Sequence, residues 1–246
     1  MIYFNSVYLK EDAEKSMQLK IQERREELEQ KTLGSGLIQL FSKRNRSKFI
    51  FGIMLNQFRQ LAGVTILTFF STQIFNEISG NGPFITMLNC FVDLGTALIT
   101  IFTKNFRRVK TYSLAMIANT ISMVAIAIAV LIKSSGLATA SICLFSCSFA
   151  IGNGSMLNVY ISEFLSVSGI GYSIAVRWVT AALISYVLPS VKDALGIPAL
   201  FFISAGFGLL HVLMLMIYGV ETFNKGKHEI DDEFAGVKSS HSQLET

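Results

Sequence analysis

The sequence predicts an all-α membrane protein whose helices cross the bilayer six times. The hydrophobic fraction is 51%, the mean hydropathy is +0.49 and the chain has 20 Phe residues, which is more apolar surface than a soluble domain of this size buries. Apolar segments of at least about 20 residues, the length needed to cross a bilayer, recur along the chain. Lys and Arg cluster outside those segments, as they do in the loops of membrane proteins.

The chain begins with a polar region, residues 1–48, which we expect to lie in the cytoplasm. Glu, Lys, Arg and Gln dominate residues 11–31, and a thin apolar stripe among them predicts a solvated helix. Gly34 and Gly36 form a flexible break before a short apolar run and a basic cluster. This region is therefore predicted to contain cytoplasmic helices that precede the membrane domain.

Six apolar segments follow the basic cluster, and each is long enough to span a bilayer. Glycine, proline or charged residues separate each segment from the next. The predicted spans are residues 49–78, 84–103, 112–132, 139–164, 172–191 and 199–218. Together they define a transmembrane domain that covers residues 49–218.

The basic residues predict the orientation of these spans. The loop between the second and third spans carries a cluster of them, Lys104, Arg107, Arg108 and Lys110. Basic residues also flank the domain on both sides, whereas the loops on the opposite side carry only Lys133 and Lys192. The positive-inside rule then places both termini in the cytoplasm. We expect residues 219–246 to form a cytoplasmic tail, in which the acidic part, residues 229–233, and the polar end, residues 239–246, are disordered.

The first predicted span carries polar side chains at depths where lipid does not solvate them. Arg59 and Gln60 lie in its first half, and Gly63 and Thr65 follow within two helical turns. A charge in hydrocarbon costs at least about 2.5 kcal/mol, so these side chains must face protein or water. Gly63 marks a point where the helix can weaken or be approached closely by a neighbour. The span is therefore predicted to line a cavity.

This span resembles the seventh span of the sugar porters of the major facilitator superfamily. The family pattern is LQ, then QQLSG, then an aromatic pair followed by S, and the corresponding segments here are residues 55–56 (LN), 59–63 (RQLAG) and 69–71 (FFS). The resemblance implies that Gln60 hydrogen-bonds sugar hydroxyls. Arg59 stands where the family has its first glutamine, and Thr65 where it has an asparagine. The resemblance therefore implies a substrate site formed by Arg59, Gln60 and Thr65. The positive charge of Arg59 would make this site favour an anionic or acidic solute.

The fourth predicted span ends in a second stretch that resembles the family. Residues 152–164 are GNGSMLNVYISEF, where the family has GPGPxPW followed by a glutamate. The resemblance implies that Asn158, at the place of the family's tryptophan, faces the substrate. Gly152 and Gly154 are expected to let the helix bend where the family's prolines are absent. Glu163 corresponds to the family's glutamate.

The loop after the second predicted span also resembles the family. Residues 103–108 are TKNFRR and keep the basic pair of the family motif, Arg107 and Arg108. In the family these residues form cytoplasmic charge clusters with the glutamate, here Glu163, and hold the outward-facing state together. The alternative is that the two arginines only fix the topology. Residues 220–227, VETFNKGK, are close to the family's closing PETKG signature.

Asp93 in the second predicted span is a further charge that needs a partner or water. Arg59 is the nearest candidate in the sequence, and we hypothesise that the two side chains pair across the first and second spans. The alternative is that Asp93 faces a water-filled cavity without Arg59.

The remaining polar residues predict neither a catalytic nor a metal site. Cys90, Cys143 and Cys147 lie in apolar segments without His or Asp at metal-ligand spacing. His211, in the last predicted span, is expected to be a hydrogen-bonded interior residue rather than a proton carrier. No nucleophile has a neighbouring base, and no phosphate-binding loop follows a strand. We therefore expect no enzyme activity and no cofactor, and the net charge of +4, gathered in loops, does not predict nucleic-acid binding.

The resemblance covers almost the whole chain and implies the carboxy-terminal half of a major facilitator fold, with six of the family's twelve spans. It implies transport of a hexose or related polyol by alternating access through a lipid bilayer, which we expect to be the plasma membrane. A missing amino-terminal half or a second copy of the chain would complete the pathway. The alternative is a transport-inactive membrane subunit with a binding or regulatory role, or a truncated gene product.

Overall fold

The computed structural model describes residues 40–68 and 106–234, together with residues 72, 76, 87, 90, 91 and 94. Every regular element in these residues is helical. The chain divides into two units, Met1–Arg46 and Ser47–Thr246, and the contacts reported below belong to the second.

The described helices include two π-helical segments, π1 and π2, each of which continues directly from an α-helix. The elements in order are α1 (Lys43–Arg59), π1 (Gln60–Val64), α2 (Arg108–Leu131), α3 (Ser135–Phe149), π2 (Ala150–Met156), α4 (Leu157–Phe164), α5 (Val167–Leu195), α6 (Ile197–Tyr218) and α7 (Lys227–Phe234).

Five continuous helical segments among the described residues are long and apolar enough to cross a membrane. They are Asn45–Thr68, Arg108–Leu131, Ser135–Phe164, Val167–Leu195 and Ile197–Tyr218. They correspond to the first, third, fourth, fifth and sixth predicted spans, with ends that differ by several residues. The second predicted span, including Asp93, lies outside the described residues except for isolated positions. The predicted all-α, multi-span architecture is confirmed.

Short polar and glycine-containing turns separate the later spans. Ser134 and Ser166 precede α3 and α5, and each hydroxyl accepts a hydrogen bond from a backbone N–H of the first helical turn, as N-caps do. Gly196, with φ of 81°, ends α5 in a conformation that favours glycine. Pro198 then lies in the first turn of α6, where its missing N–H costs no helical hydrogen bond.

The apolar core lies between α2, α3, α6 and the end of the first span. Met123, Ile126 and Phe201 are fully buried within it. Helices α2 and α6 approach each other closely, since a Cβ placed on Gly208 would lie 2.6 Å from Oγ1 of Thr120. Small residues at such crossings allow the backbones to pack directly against each other.

Helix α5 is the least enclosed of the described spans. Only 11% of its most apolar stretch is buried within the chain, compared with 50% for α6. Large side chains such as Trp178 and Tyr186 are exposed on its open side. An apolar surface of this kind requires lipid or another protein segment against it.

The acidic segment after the last span is helical, so the predicted disorder of residues 229–233 was wrong. Residues 239–246 lie outside the described residues. Helix α7 buries Ile230, which is 2% exposed. The Phe234 ring centroid lies 5.1 Å from that of Phe164, at the end of α4. Because Ile230 and Phe234 are four positions apart, they form one face of a helix that packs on the membrane domain.

An ion pair also attaches α7 to the beginning of the first span. Nζ of Lys48 lies 2.7 Å from Oδ1 of Asp231, and the Lys48 side chain is only 6% exposed. A second pair joins Nζ of Lys225 to Oε1 of Glu233 at 2.6 Å. Two of the acidic residues that suggested a solvated tail, Asp231 and Glu233, are thus partners of lysines.

Candidate functional site

The π1 segment interrupts the first span at the predicted polar residues. Gly63 has φ of 99° and ψ of −3°, outside the helical region, and positive φ favours glycine. A Cβ at this position would lie 2.6 Å from Cε of Met123 and 3.3 Å from Cβ of Ser204. Both α2 and α6 therefore contact the backbone at the point where the helix is distorted.

Gln60 and Thr65 lie on either side of this distortion and are both buried. Gln60 lines a cavity of about 340 Å³ that is otherwise apolar except for Ser204. The Thr65 hydroxyl has no hydrogen-bond partner among the described residues. Both side chains thus retain hydrogen-bonding capacity in a largely apolar setting.

Arg59 occupies the end of α1 directly before π1. Its Cζ atom lies 5.3 Å from the centroid of the Phe149 ring, a cation–π contact with α3. Its Nε and Nη1 atoms are buried, and neither has a hydrogen-bond partner in the part of the chain that the structure describes. The hypothesised partner Asp93 lies outside the described residues.

The π2 segment forms wider turns within the fourth span. Gly152 is buried, and a Cβ there would lie 2.9 Å from Cβ of Ala115, so this segment packs tightly on α2. Gly154 is more open, since its closest neighbour would be the Phe149 carbonyl oxygen at 3.4 Å. Asn158 is exposed, and its Nδ2 atom donates to the Gly154 carbonyl oxygen at 2.6 Å. None of its hydrogen bonds within the described residues reaches the polar residues of the first span.

A cluster of polar side chains lies at the end of the bundle where α2 begins. Nε of Arg108 lies 3.0 Å from Oε1 of Glu163, and the Arg108 backbone N–H donates to Oε1 of Glu221 at 2.7 Å. The Thr222 hydroxyl donates to the other Glu163 oxygen. Arg107 is 69% exposed and reaches Glu221 only at 3.8 Å. Of the two predicted arginines, Arg108 is the one enclosed by these contacts.

Sequence reasoning missed the contribution of residues 221–223 to this cluster. Besides Glu221 and Thr222, the Phe223 ring lies under the Arg108 guanidinium, with Cζ 5.4 Å from its centroid. The signal that could have located them is the stretch at residues 220–227 that resembles the family's closing signature.

A buried polar network connects α2, π2 and α6. The Tyr112 hydroxyl donates to Oδ1 of Asn153 at 2.8 Å and lies 3.0 Å from Nε2 of His211. The Phe58 ring packs on the His211 ring with centroids 5.8 Å apart. His211 is therefore a hydrogen-bonded interior residue, as predicted, whereas Tyr112 and Asn153 were not anticipated as its partners.

The sequence and the fold both match known proteins. The model of the family described as "Sugar (and other) transporter" matches residues 5–234. Among solved structures, the proton:xylose symporter XylE of the major facilitator superfamily, bound to 6-bromo-6-deoxy-D-glucose, shares 19% identity with a TM-score of 0.66, over 87% of this chain and 52% of that chain. No curated protein matches the chain.

Two further XylE structures agree with this likeness. A double tryptophan variant shares 17% identity with a TM-score of 0.69, over 82% of this chain and 49% of that chain. The inward-open xylose transporter from E. coli shares 20% identity with a TM-score of 0.66, over 88% of this chain and 46% of that chain. The chain spans about half the length of these transporters, and the match shows that it has the fold of half a major facilitator protein.

Proposed function

The chain belongs to the sugar transporter family, and we propose that it is the carboxy-terminal half of a carrier that moves a hexose or related small polar solute by alternating access. It is an integral, multi-pass membrane protein. The observation that carries the proposal is the set of buried polar groups at π1, deep in a span where lipid cannot solvate them. Broken helices of this kind bind the solute in other transporters.

Gln60, Thr65 and Asn158 are the proposed hydrogen-bonding residues for the solute. The first two are buried beside the distorted segment π1, and Thr65 has an unused hydroxyl. Asn158 is exposed on α4, immediately after π2. A solute between the first and fourth spans would replace the Asn158 hydrogen bond to its own helix.

Gly63, Gly152 and Gly154 are the proposed flexing points. They lie in the two π segments, and such segments commonly occur at functional sites because the helical hydrogen-bond ladder is weaker there. Gly63 and Gly152 are tightly packed against α2, so bending at either would require that helix to move as well.

Arg108 and Glu163 are proposed to form a cytoplasmic lock that is closed in one state of the cycle. Glu221 and Thr222 extend it beyond the last span. Arg107 is more exposed, so we propose that it contributes less to the lock. It would also help to fix the orientation of the spans in the membrane.

We expect both termini to lie in the cytoplasm and the membrane to be the plasma membrane. Transport requires two halves around one site, so an amino-terminal half or a second copy of this chain would complete the pathway. The open apolar side of α5 offers a surface for such a half. A transport-inactive binding subunit or a truncated product is the alternative.

Uptake into proteoliposomes tests this proposal. The chain is reconstituted alone and together with the amino-terminal half of XylE, and uptake of labelled glucose and xylose is measured. We expect Gln60→Ala and Thr65→Ala to lower the apparent affinity by about tenfold. Thr139→Ala is the control, because that hydroxyl bonds only its own exposed helical turn. Saturable binding without uptake in either preparation would instead support the transport-inactive subunit, and neither binding nor uptake would contradict both.

A further inference from the structure

Two arginines lie within neighbouring spans without an acidic partner in the described part of the chain. Arg59 ends α1, and its buried Nε and Nη1 atoms have no hydrogen-bond acceptor there. Arg177 is half-buried in α5, where its Cζ lies 5.4 Å from the ring of the adjacent Trp178.

Two hydrogen bonds hold α1 and α5 together at this depth. Nδ2 of Asn56 donates to Oγ of Ser173 at 3.1 Å. The Thr180 hydroxyl donates to Oε1 of Gln57. Ser173 and Thr180 lie on either side of Arg177 in α5, while Asn56 and Gln57 precede Arg59 by less than one turn. Helices α1 and α5 are therefore in contact within about one turn of both arginines.

The described spans contain no acid that could neutralise this pair. Their acidic residues are Glu163 and Asp193. Glu163 is already bonded to Arg108 and Thr222. Asp193 lies 16 positions after Arg177 in the same helix, which corresponds to about 24 Å at 1.5 Å per residue.

We propose that Arg59 and Arg177 form an anion-binding site, so that the solute is a hydroxylated anion such as a sugar acid. A carboxylate matches the planar fork of a guanidinium and would supply the acceptors that Arg59 lacks. Gln60 and Thr65, which follow Arg59 by one and six positions, would then form hydrogen bonds with the hydroxyl groups of the solute. This inference rests on the proposed function, whose site it specifies.

Binding of matched probes tests the inference. Trp178 is the only tryptophan in the chain and adjoins Arg177, so its fluorescence in lipid nanodiscs reports ligand binding. The probes are D-glucuronate, its uncharged methyl ester, D-glucose and D-glucose 6-phosphate. We expect glucuronate to bind at least about tenfold more tightly than the ester or glucose, because only it can form charge-assisted hydrogen bonds. Stronger binding of the phosphate than of glucuronate would support the anion site and assign it to a phosphorylated solute.

Charge-removing variants locate the site. Arg59→Gln and Arg177→Gln should each abolish the preference for glucuronate over its methyl ester, and Arg59→Lys should retain part of it. Lys133→Gln, which removes the same charge from a loop, should leave the preference intact. Equal affinity for glucuronate and the ester in the unaltered chain would overturn the inference alone. Failure of every probe to bind would overturn the proposed function as well.

The thermal stability of the unliganded Arg59→Gln variant is an independent readout. Removing a buried cation without a partner should leave the unfolding temperature unchanged or raise it. A fall of several degrees that is smaller in an Asp93→Asn background would show that Arg59 is already neutralised by Asp93, and would overturn the anion site.

Discussion

Nε of Arg108 lies 3.0 Å from Oε1 of Glu163, although the two residues are 55 positions apart in the chain. Arg108 begins α2, and Glu163 lies in the last turn of α4. Because Glu163 also accepts a hydrogen bond from Thr222, which follows α6, three spans are joined at one point.

Breaking this ion pair should destabilise the bundle. Glu163→Gln removes the carboxylate charge that lies 3.0 Å from Nε of Arg108, and we expect the free energy of unfolding to fall by about 1–3 kcal/mol. Denaturant unfolding in detergent micelles measures the change. In a double-mutant cycle with Arg108→Gln, the coupling should exceed about 1 kcal/mol.

The neighbouring arginine provides the control for that experiment. Arg107 is mostly exposed and 3.8 Å from Glu221, so Arg107→Gln should change the unfolding free energy by no more than about 0.5 kcal/mol. Equal losses for the two arginines would contradict the assignment of the lock to Arg108.

Replacing Gly63 by alanine should destabilise the first span. The new Cβ would lie 2.6 Å from Cε of Met123. The alanine would also have to adopt the positive φ of this position, which alanine disfavours. We expect a loss of about 2–4 kcal/mol in the free energy of unfolding.

Gly206→Ala is the matched control for this substitution, since nothing lies within 4 Å of its Cβ position in α6. It should be neutral or slightly stabilising. Combining Gly63→Ala with Met123→Ala tests the two causes, because the shorter side chain removes the clash but not the backbone strain. A double variant as stable as Met123→Ala alone would show that φ contributes little.

The buried network predicts that the Tyr112 hydroxyl stabilises the fold. Tyr112→Phe leaves Oδ1 of Asn153 and Nε2 of His211 without their shared partner, and the expected loss is about 1–3 kcal/mol. Tyr186→Phe, at an exposed position of α5, should have no measurable effect. An equally small effect of Tyr112→Phe would mean that the amide and the imidazole bond each other once the hydroxyl is removed.

Asp231→Asn should loosen the attachment of α7. The substitution removes the charge that pairs with the buried Lys48 ammonium group, so hydrogen exchange of the α7 amides should become several-fold faster. Glu229→Gln removes the same charge from an exposed position and should change exchange less. Unchanged exchange in Asp231→Asn would show that Ile230 and Phe234 alone hold the helix.

The spans could be predicted from the sequence because bilayer thickness requires long apolar segments, and this requirement is local. Their ends were less predictable, since Lys48 marked a loop in the sequence but lies inside α1, where Asp231 neutralises it. The same contact joins α7 to the first span. Lys48 and Asp231 are 183 positions apart. Their contact results from the packing of the folded chain and cannot be predicted from the local sequence pattern.

The candidate site was predictable in part for the same reason. Arg59, Gln60 and Gly63 were conspicuous because polar groups and glycine are costly in a span. The partners of His211 were not, because Tyr112 and Asn153 come near it only when α2, π2 and α6 pack. The π segments themselves were not predicted. Their glycines indicate that the helix can bend there, but they do not indicate that a turn contains an extra residue.

The wide turns of π2 affect the alignment of α4 with α3. This segment has seven residues, and each π turn holds about one residue more than an α turn, whereas one more residue in a regular α-helix would rotate everything after it by about 100°. Deleting one residue in π2 would let the wide turn close to an α turn and leave Glu163 directed toward Arg108. The π geometry thus accommodates an additional residue between Phe149 and Leu157 without rotating the end of the span.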